Sequence, residues 1–432
     1  MTTEIAILNK SAVALAADSA VTISGDKNHK VFNSANKLFS LSKYAPVGIM
    51  IYGNASLSGV PWETIIKSYR EFLGTKIFKY CKDYCDDFFK FLDKFDSDHV
   101  LSNNYFDSEL KCVITHIRTE LDIWAEKQFN DRGEILHSEL VTQFKNIINN
   151  NYIKFQSIAK KSLFNRNEKN AIKAKYEIDI VKAYKIAFKK MTLSKNIVAK
   201  FLSIVINALS VGRIQQSGIV IAGFGAKELF PSCYSFDVAG IFENKTVRRQ
   251  DNNQTICHEN TAVIVPFAQS DDVTTFMEGI GPKLNLFLKD SFKQIFCSEL
   301  PSHISDEISK IVSLPPKLSS KVSTAVEDIC KGAYDKSFEK LDNIRYREYI
   351  YPILEATGFL NTSELAEMAE TLVNLVSFRK KVSMETETVG GPIDVAVITK
   401  AEGLVWCKRK HYFPPELNHH FFGKYFERIA NG

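Results

Sequence analysis

Short apolar runs and helical apolar periods take turns along this chain, and the turnover predicts its elements. Ile5-Ala6-Ile7-Leu8 and Ala12-Val13-Ala14-Leu15-Ala16-Ala17 are brief apolar runs, parted by Asn9-Lys10-Ser11 and ended by Asp18. Small and β-branched residues around a polar break predict a buried hairpin. Lys37–Leu41 and Val47–Gly53 predict two more strands. Pro61 then opens a helix with Trp62, Ile65, Ile66, Tyr69, Phe72 and Leu73 at helical spacing. From 75 to 212 the spacing is mostly helical and Asn, Lys, Asp and Phe dominate. Strand signals resume at Gly218–Gly225, Cys233–Phe236, Gly240–Phe242 and Ala262–Val265, and 271–345 reads as mostly helical. Asn361-Thr362-Ser363-Glu364 resembles a capping box for a helix carrying Leu365, Met368, Ala369, Leu372 and Val373. Ile393–Ile398 and Leu404–Cys407 predict two closing strands.

Strands, helix, helical block, strands, helices, strands is not the βαβα alternation of a doubly wound sheet. It predicts an α+β fold of antiparallel sheets with helices packed outside them. The chain divides into a first core segment (1–74), a helical insertion (75–212), a second core segment (213–297), a second helical insertion (298–345) and a C-terminal core segment (346–432).

With 432 residues, 45% of them apolar and 24% charged, the chain can bury a large core without a disulfide or metal staple. The net charge of +5 is too mild to imply nucleic acid, which is not expected as a partner. Local charge is less even: Asp83 to Glu109 has eight acids against two lysines, and Lys154 to Lys200 has thirteen Lys/Arg against three acids. Tyr176, Ile180, Tyr184 and Phe188 recur at helical spacing in the basic section, which reads as a packed helix with a solvated basic face. The eight cysteines lack zinc-site spacing and read as reduced thiols, mostly in the core. No metal or cofactor is expected. The N-terminus shows no signal peptide and no run is apolar enough to span a membrane, so the expected location is the cytoplasm.

The second residue carries candidate chemistry. A threonine hydroxyl needs a base to act as nucleophile, and a free α-amine, with an ordinary pKa near 8, can serve as one. Removal of Met1 would place both groups in Thr2.

The run Thr2 to Thr22, with Lys37-Leu38-Phe39 and Gly48-Ile49-Met50-Ile51-Tyr52-Gly53, resembles the opening of proteasome β-subunits and of HslV, threonine peptidases of the N-terminal-nucleophile class. Leu365–Ile398, with Thr388-Val389-Gly390-Gly391-Pro392, resembles the late helix and strand entry of those β-subunits, and Val220–Gly223 their middle strand. The resemblance implies a four-layer αββα sandwich interrupted by the helical insertion. It makes Thr2 the nucleophile and amine base, Asp18 and Lys37 its catalytic acid and lysine, and Gly53 the oxyanion N–H donor. It makes Thr22 the residue whose backbone pairs with substrate, and Val21, Ala35, Ile51 and Ala55 the walls of an apolar specificity pocket. The pattern departs where Thr386 and Val389 replace a supporting aspartate and serine; Glu385 or Glu387 would supply the acid. The expected function is peptide hydrolysis through an acyl-enzyme on Thr2, in a homo-oligomer, with an ATP-dependent unfoldase as a candidate partner. A catalytically idle scaffold and a small-molecule amidase are the alternatives.

Overall fold

The computed structural model describes every residue except 1–2, 25–28, 97, 192–193, 213–216, 313–314, 384–389, 412, 421–422 and 424–432. The chain opens with β1 (Thr3–Asn9), β2 (Ala12–Ala17), β3 (Val21–Ser24), β4 (His29–Phe32), β5 (Leu38–Ser40), β6 (Val47–Gly53), β7 (Ser56–Leu57) and β8 (Val60–Pro61). Helices α1 (Trp62–Leu73), α2 (Cys81–Asp93), α3 (Val100–Arg132), α4 (His137–Ile158), α5 (Arg166–Ala187) and α6 (Lys195–Val211) follow. Next come β9 (Ser217–Gly223), β10 (Ser232–Phe242), β11 (Lys245–Thr255) and β12 (Ala262–Ala268). The remainder is α7 (Asp271–Glu278), α8 (Pro282–Gln294), α9 (Leu300–Ile311), α10 (Pro316–Arg345), α11 (Tyr351–Phe359), α12 (Thr362–Val382), β13 (Asp394–Thr399) and β14 (Gly403–Lys408). Antiparallel pairing and segregated helices make the fold α+β. The chain forms two units, one of Met1–Ala35, Ile256–Val397 and Val405–Gly432, the other of Asn36–Thr255 and Ile398–Leu404.

The first unit is built on the sheet β12-β1-β2-β13-β14. Every residue of β1 and β2 is buried. The turn between them is set by Asn9, whose side-chain oxygen accepts from the backbone N–H of Ser11 at 2.9 Å and Ala12 at 3.0 Å. Its amide nitrogen donates to the carbonyls of Thr357 (3.2 Å) and Leu360 (2.9 Å), tying the end of α11 to the hairpin. Ala12, Ala14 and Ala16 share a core cluster with Leu365, Ala369 and Leu372 of α12, and the small residues let that helix approach closely. Each large aliphatic side chain buried there contributes about 1.5–3 kcal/mol. Asn361 caps α12 as its sequence predicts: its side chain accepts from the N–H of Ser363 and Glu364, and Glu364 accepts from the N–H of Asn361.

The second unit is built on the sheet β11-β10-β9-β6-β5. Val47, Ile49 and Ile51 of β6 and Ile219 and Ile221 of β9 share a core cluster with α1 and α2. Tyr69 lies within it, its ring edge-on to Phe88 at 4.9 Å and its hydroxyl donating to Asp87 at 3.0 Å. Helices α3–α6 close a second core around Phe144, Tyr184 and Phe201, which reaches Phe242 of β10. Tyr176, Ile180, Tyr184 and Phe188 are all buried in it, the packed helix predicted for the basic section. Among the described residues no helix is long and apolar enough to cross a membrane.

Candidate active site

Asp18 follows the end of β2 and is 1% exposed. A carboxylate buried this deeply needs donors, and the backbone supplies them. Oδ1 accepts the N–H of Thr3 at 3.0 Å, and Oδ2 accepts those of Ala20 at 3.2 Å and Gly390 at 3.1 Å. In return the N–H of Asp18 donates to the Thr3 carbonyl at 3.1 Å. The backbone of Thr3 is thus gripped by a buried carboxylate at the head of β1. Thr2 itself lies outside the described residues, as do Glu385, Thr386, Glu387 and Val389.

A second anchor here was not anticipated from sequence. The Ser19 N–H donates to the Gly390 carbonyl at 3.1 Å, and the Ser19 hydroxyl donates to the Pro392 carbonyl. The Ser19 carbonyl accepts the Ala35 N–H at 3.1 Å. Gly391 has φ 78°, and a Cβ there would lie 2.9 Å from Cβ of Asn33 and 3.0 Å from its carbonyl oxygen. Only glycine suits that backbone and that gap. The Gly390-Gly391-Pro392 run was read from sequence only as resembling a strand entry, and its partners, more than 370 residues away, leave no local signal.

Val21 and Thr22 belong to β3, which among the described residues is hydrogen-bonded only to β4, with Val21 opposite Phe32 and Thr22 opposite Val31. Val21 and Ala35 are half-buried.

The other unit holds Lys37, Ile51, Gly53 and Ala55. Lys37 is 4% exposed, and its carbonyl accepts the N–H of Ile51 at 2.9 Å, which seats it at the start of β5 beside β6. Ile51 is buried in the core cluster with Trp62, and Ala55 is exposed. Gly53 closes β6 with φ 79°, a left-handed backbone that favours glycine. Opposite it, Ser217 Oγ donates to the Asn54 carbonyl at 2.9 Å and accepts from Trp62 Nε1 at 2.8 Å, fixing the turn that follows Gly53. A cavity of about 400 Å³ starts at this turn, with Asn54, Ser56, Ser217, Asn104 and Asp107 in its walls. Its polar lining suits a hydrogen-bonding ligand. Among the described residues no group of His, Cys, Asp or Glu could hold a metal ion.

No family model matches this chain, and neither does any curated protein. Solved structures do match along the whole length. Anbu (ancestral beta-subunit) from Yersinia bercovieri is 8% identical, with 99% of this chain and 97% of that chain covered and a TM-score of 0.28. Anbu from Hyphomicrobium sp. strain MC1 is 7% identical over 99% and 97%, at 0.28. The Anbu complex from Pseudomonas aeruginosa, described as a helical assembly, is 8% identical over 100% and 96%, at 0.25. Similarity at this level carries no conclusion about fold or activity. These findings correct the expectation that the chain is a member of the proteasome β-subunit and HslV threonine peptidase family: no family model supports it, and the structures named are Anbu proteins. The features behind the resemblance have a local cause. A hairpin buried along its whole length selects short runs of small apolar residues, and Asp18 follows them because its carboxylate satisfies backbone N–H groups.

Proposed function

We propose that this chain is an amide-bond hydrolase, with peptides as substrates, whose nucleophile is the Thr2 hydroxyl and whose base is the Thr2 α-amine once Met1 is removed. The observation that carries the reading is the Asp18 clamp on the Thr3 N–H at the head of the buried strand β1. A nucleophile held by rigid backbone is the arrangement this chemistry needs. The hydroxyl adds to the substrate carbonyl as the amine takes its proton. The amine then protonates the leaving nitrogen, leaving an ester on Thr2, which water cleaves with the amine again as base. Lys37 is proposed as the cation that favours proton loss from the hydroxyl, and Asp18 as the acid that keeps it charged. The Gly53 N–H is proposed as oxyanion donor. β3, which among the described residues pairs only with β4, is proposed to take an extended peptide as a further strand at Thr22, with Val21, Ala35, Ile51 and Ala55 proposed to shape its apolar pocket.

Two wider features belong to the same reading. The four-layer αββα sandwich is the fold proposed with it. Among the described residues helices α8–α10 bury only Pro301 and Cys330, while Leu284, Leu286, Phe287, Ile311 and Ile329 are exposed. So much apolar surface on one stretch supports a homo-oligomer, and the cytoplasm is proposed as its location.

A second reading, an idle scaffold, is favoured by the same clamp, because three backbone hydrogen bonds already account for a buried Asp18. A peptide epoxyketone separates the two, since its ring closure needs a hydroxyl and a free amine on one residue. An adduct on Thr2, abolished by Thr2→Ala and retained in part by Thr2→Ser, is the expected result. No adduct on Thr2, or active protein that keeps Met1 by intact mass, overturns the hydrolase reading.

A further inference from the structure

Within the helical block a second cavity, of about 640 Å³, lies where the end of α4, the short turn Ala159–Lys161, the first turns of α5 and the middle of α6 meet. Its size falls within the roughly 300–1,000 Å³ usual for small-molecule sites. Among the described residues the lining is charged with one sign only: Lys160, Arg166, Lys169 and Lys173 face it, and no Asp or Glu does. Arg166, Lys169 and Lys173 share one face of α5 at spacings of three and four residues, where like charges repel and destabilise the helix. Ser203 and the buried Asn207 of α6 add hydrogen-bonding groups beside them.

Neighbouring cations outside the cavity are neutralised. Lys175 pairs with Glu243 at 2.7 Å and Lys245 with Glu168 at 2.7 Å. Glu168, the acid on this part of α5, is taken up by Lys245 and by the N–H of its own cap residue Asn165. Among the described residues none of the four cavity cations has a carboxylate partner. Lys169 is half-buried, and desolvation pushes its ammonium below the ordinary lysine range. It donates only to the Ala159 carbonyl at 3.4 Å and the Asn207 side-chain oxygen at 3.5 Å, both at the long limit of a hydrogen bond. A half-desolvated ammonium held by two distant neutral acceptors, among three more cations, is arranged for an anion that is absent from the protein itself.

We infer that this cavity between α4, α5 and α6 binds a polyphosphate chain, carried by a nucleoside triphosphate or by inorganic polyphosphate. Four cations in one recess match the charge of three or more phosphate groups. Arg166 can take a phosphate in bidentate fashion, while the lysines act as point charges. The site is independent of Thr2.

Isothermal titration of the full chain with sodium tripolyphosphate, with ATP and with adenosine tests this. Saturable one-site binding of tripolyphosphate and ATP, none of adenosine, and weakening with added salt are expected. The pair Lys169→Gln/Lys173→Gln should weaken binding at least tenfold. Lys189→Gln/Lys190→Gln, the same loss of charge on exposed residues outside the cavity, should leave it within twofold. ATP binding more tightly than tripolyphosphate would mark the nucleotide as occupant, and equal affinity the phosphate chain alone. Should the first pair fail to fold by circular dichroism, the exposed Lys160→Gln replaces it, with at least a threefold loss expected. No saturation up to millimolar ligand overturns the inference. So does equal weakening by pocket and control variants, or single-stranded DNA binding that tightens with length and is equally sensitive to both pairs, which would mark an extended basic surface.

Discussion

Asp18 carries more at the scale of one residue than a catalytic partner needs to, because its carboxylate holds N–H groups from three separated points of the chain. Asp18→Asn keeps the shape but turns an NH2 toward backbone donors. It is expected to cost about 2–4 kcal/mol, read as a lower urea midpoint. Turnover must therefore be measured per folded molecule before any loss is assigned to chemistry. The two adjacent glycines make a second test. A Cβ on Gly390 would meet nothing within 4 Å, whereas Gly391 combines a left-handed backbone with the close approach of Asn33. Gly391→Ala should cost about 1–2 kcal/mol or more and Gly390→Ala much less, by thermal unfolding. A similar loss from both would show that the fit to Asn33 does not matter. The sequence marks Asp18 as the end of an apolar run, but which groups its oxygens hold depends on chain 372 residues away, for which local pattern has no record.

Elements were legible where burial is periodic and obscure where pairing alone makes them. The β1–β2 hairpin, α1, α12 and the packed face of α5 all follow from apolar spacing. The strand β11, by contrast, is Lys-Thr-Val-Arg-Arg-Gln-Asp-Asn-Asn-Gln-Thr, and it is a strand because β10 supplies its ladder. The runs Cys233–Phe236 and Gly240–Phe242, read as two strands, are one strand, β10, with irregular register at Ser235/Phe236 and Val238/Gly240. The cysteines sort by element as well. Cys81 and Cys85 of α2 and Cys233 of β10 are buried, whereas Cys257 is half-exposed and Cys407 exposed. Burial pushes the Cys81 and Cys85 thiols well above their ordinary value and Cys233 up to about 12. Since the thiolate is the reactive form, iodoacetamide on native protein at pH 8 should mark Cys257 and spare those three until denaturant is added, as peptide mapping would show. Unfolding also frees them to ionise. Their contribution is therefore complete below the ordinary thiol pKa of about 8.5 and falls as pH rises beyond it.

The exposed apolar stretch from α8 to α10 sets the behaviour of the whole molecule. If a second copy covers it, light scattering at micromolar concentration should give a mass above that of one 48.9 kDa chain. Leu286→Glu with Phe287→Glu should reduce that mass without loss of helix signal, because both side chains are exposed and support no core. A strict monomer before substitution would refute the oligomer.

The position of β1 has one more consequence, and it concerns birth order. This strand is made well before β12, yet in the finished sheet it lies between β2 and β12, and the register with β12 pairs Thr3 with Ala268 and Asn9 with Ala262. At about 5–20 residues per second, a ribosome needs roughly 12–50 s to reach that partner. Through that interval a strand that ends fully buried waits without this neighbour, free to pair wrongly. Rapid overproduction should therefore send this protein into aggregates, and slower translation or a ribosome-bound chaperone should recover it in soluble form.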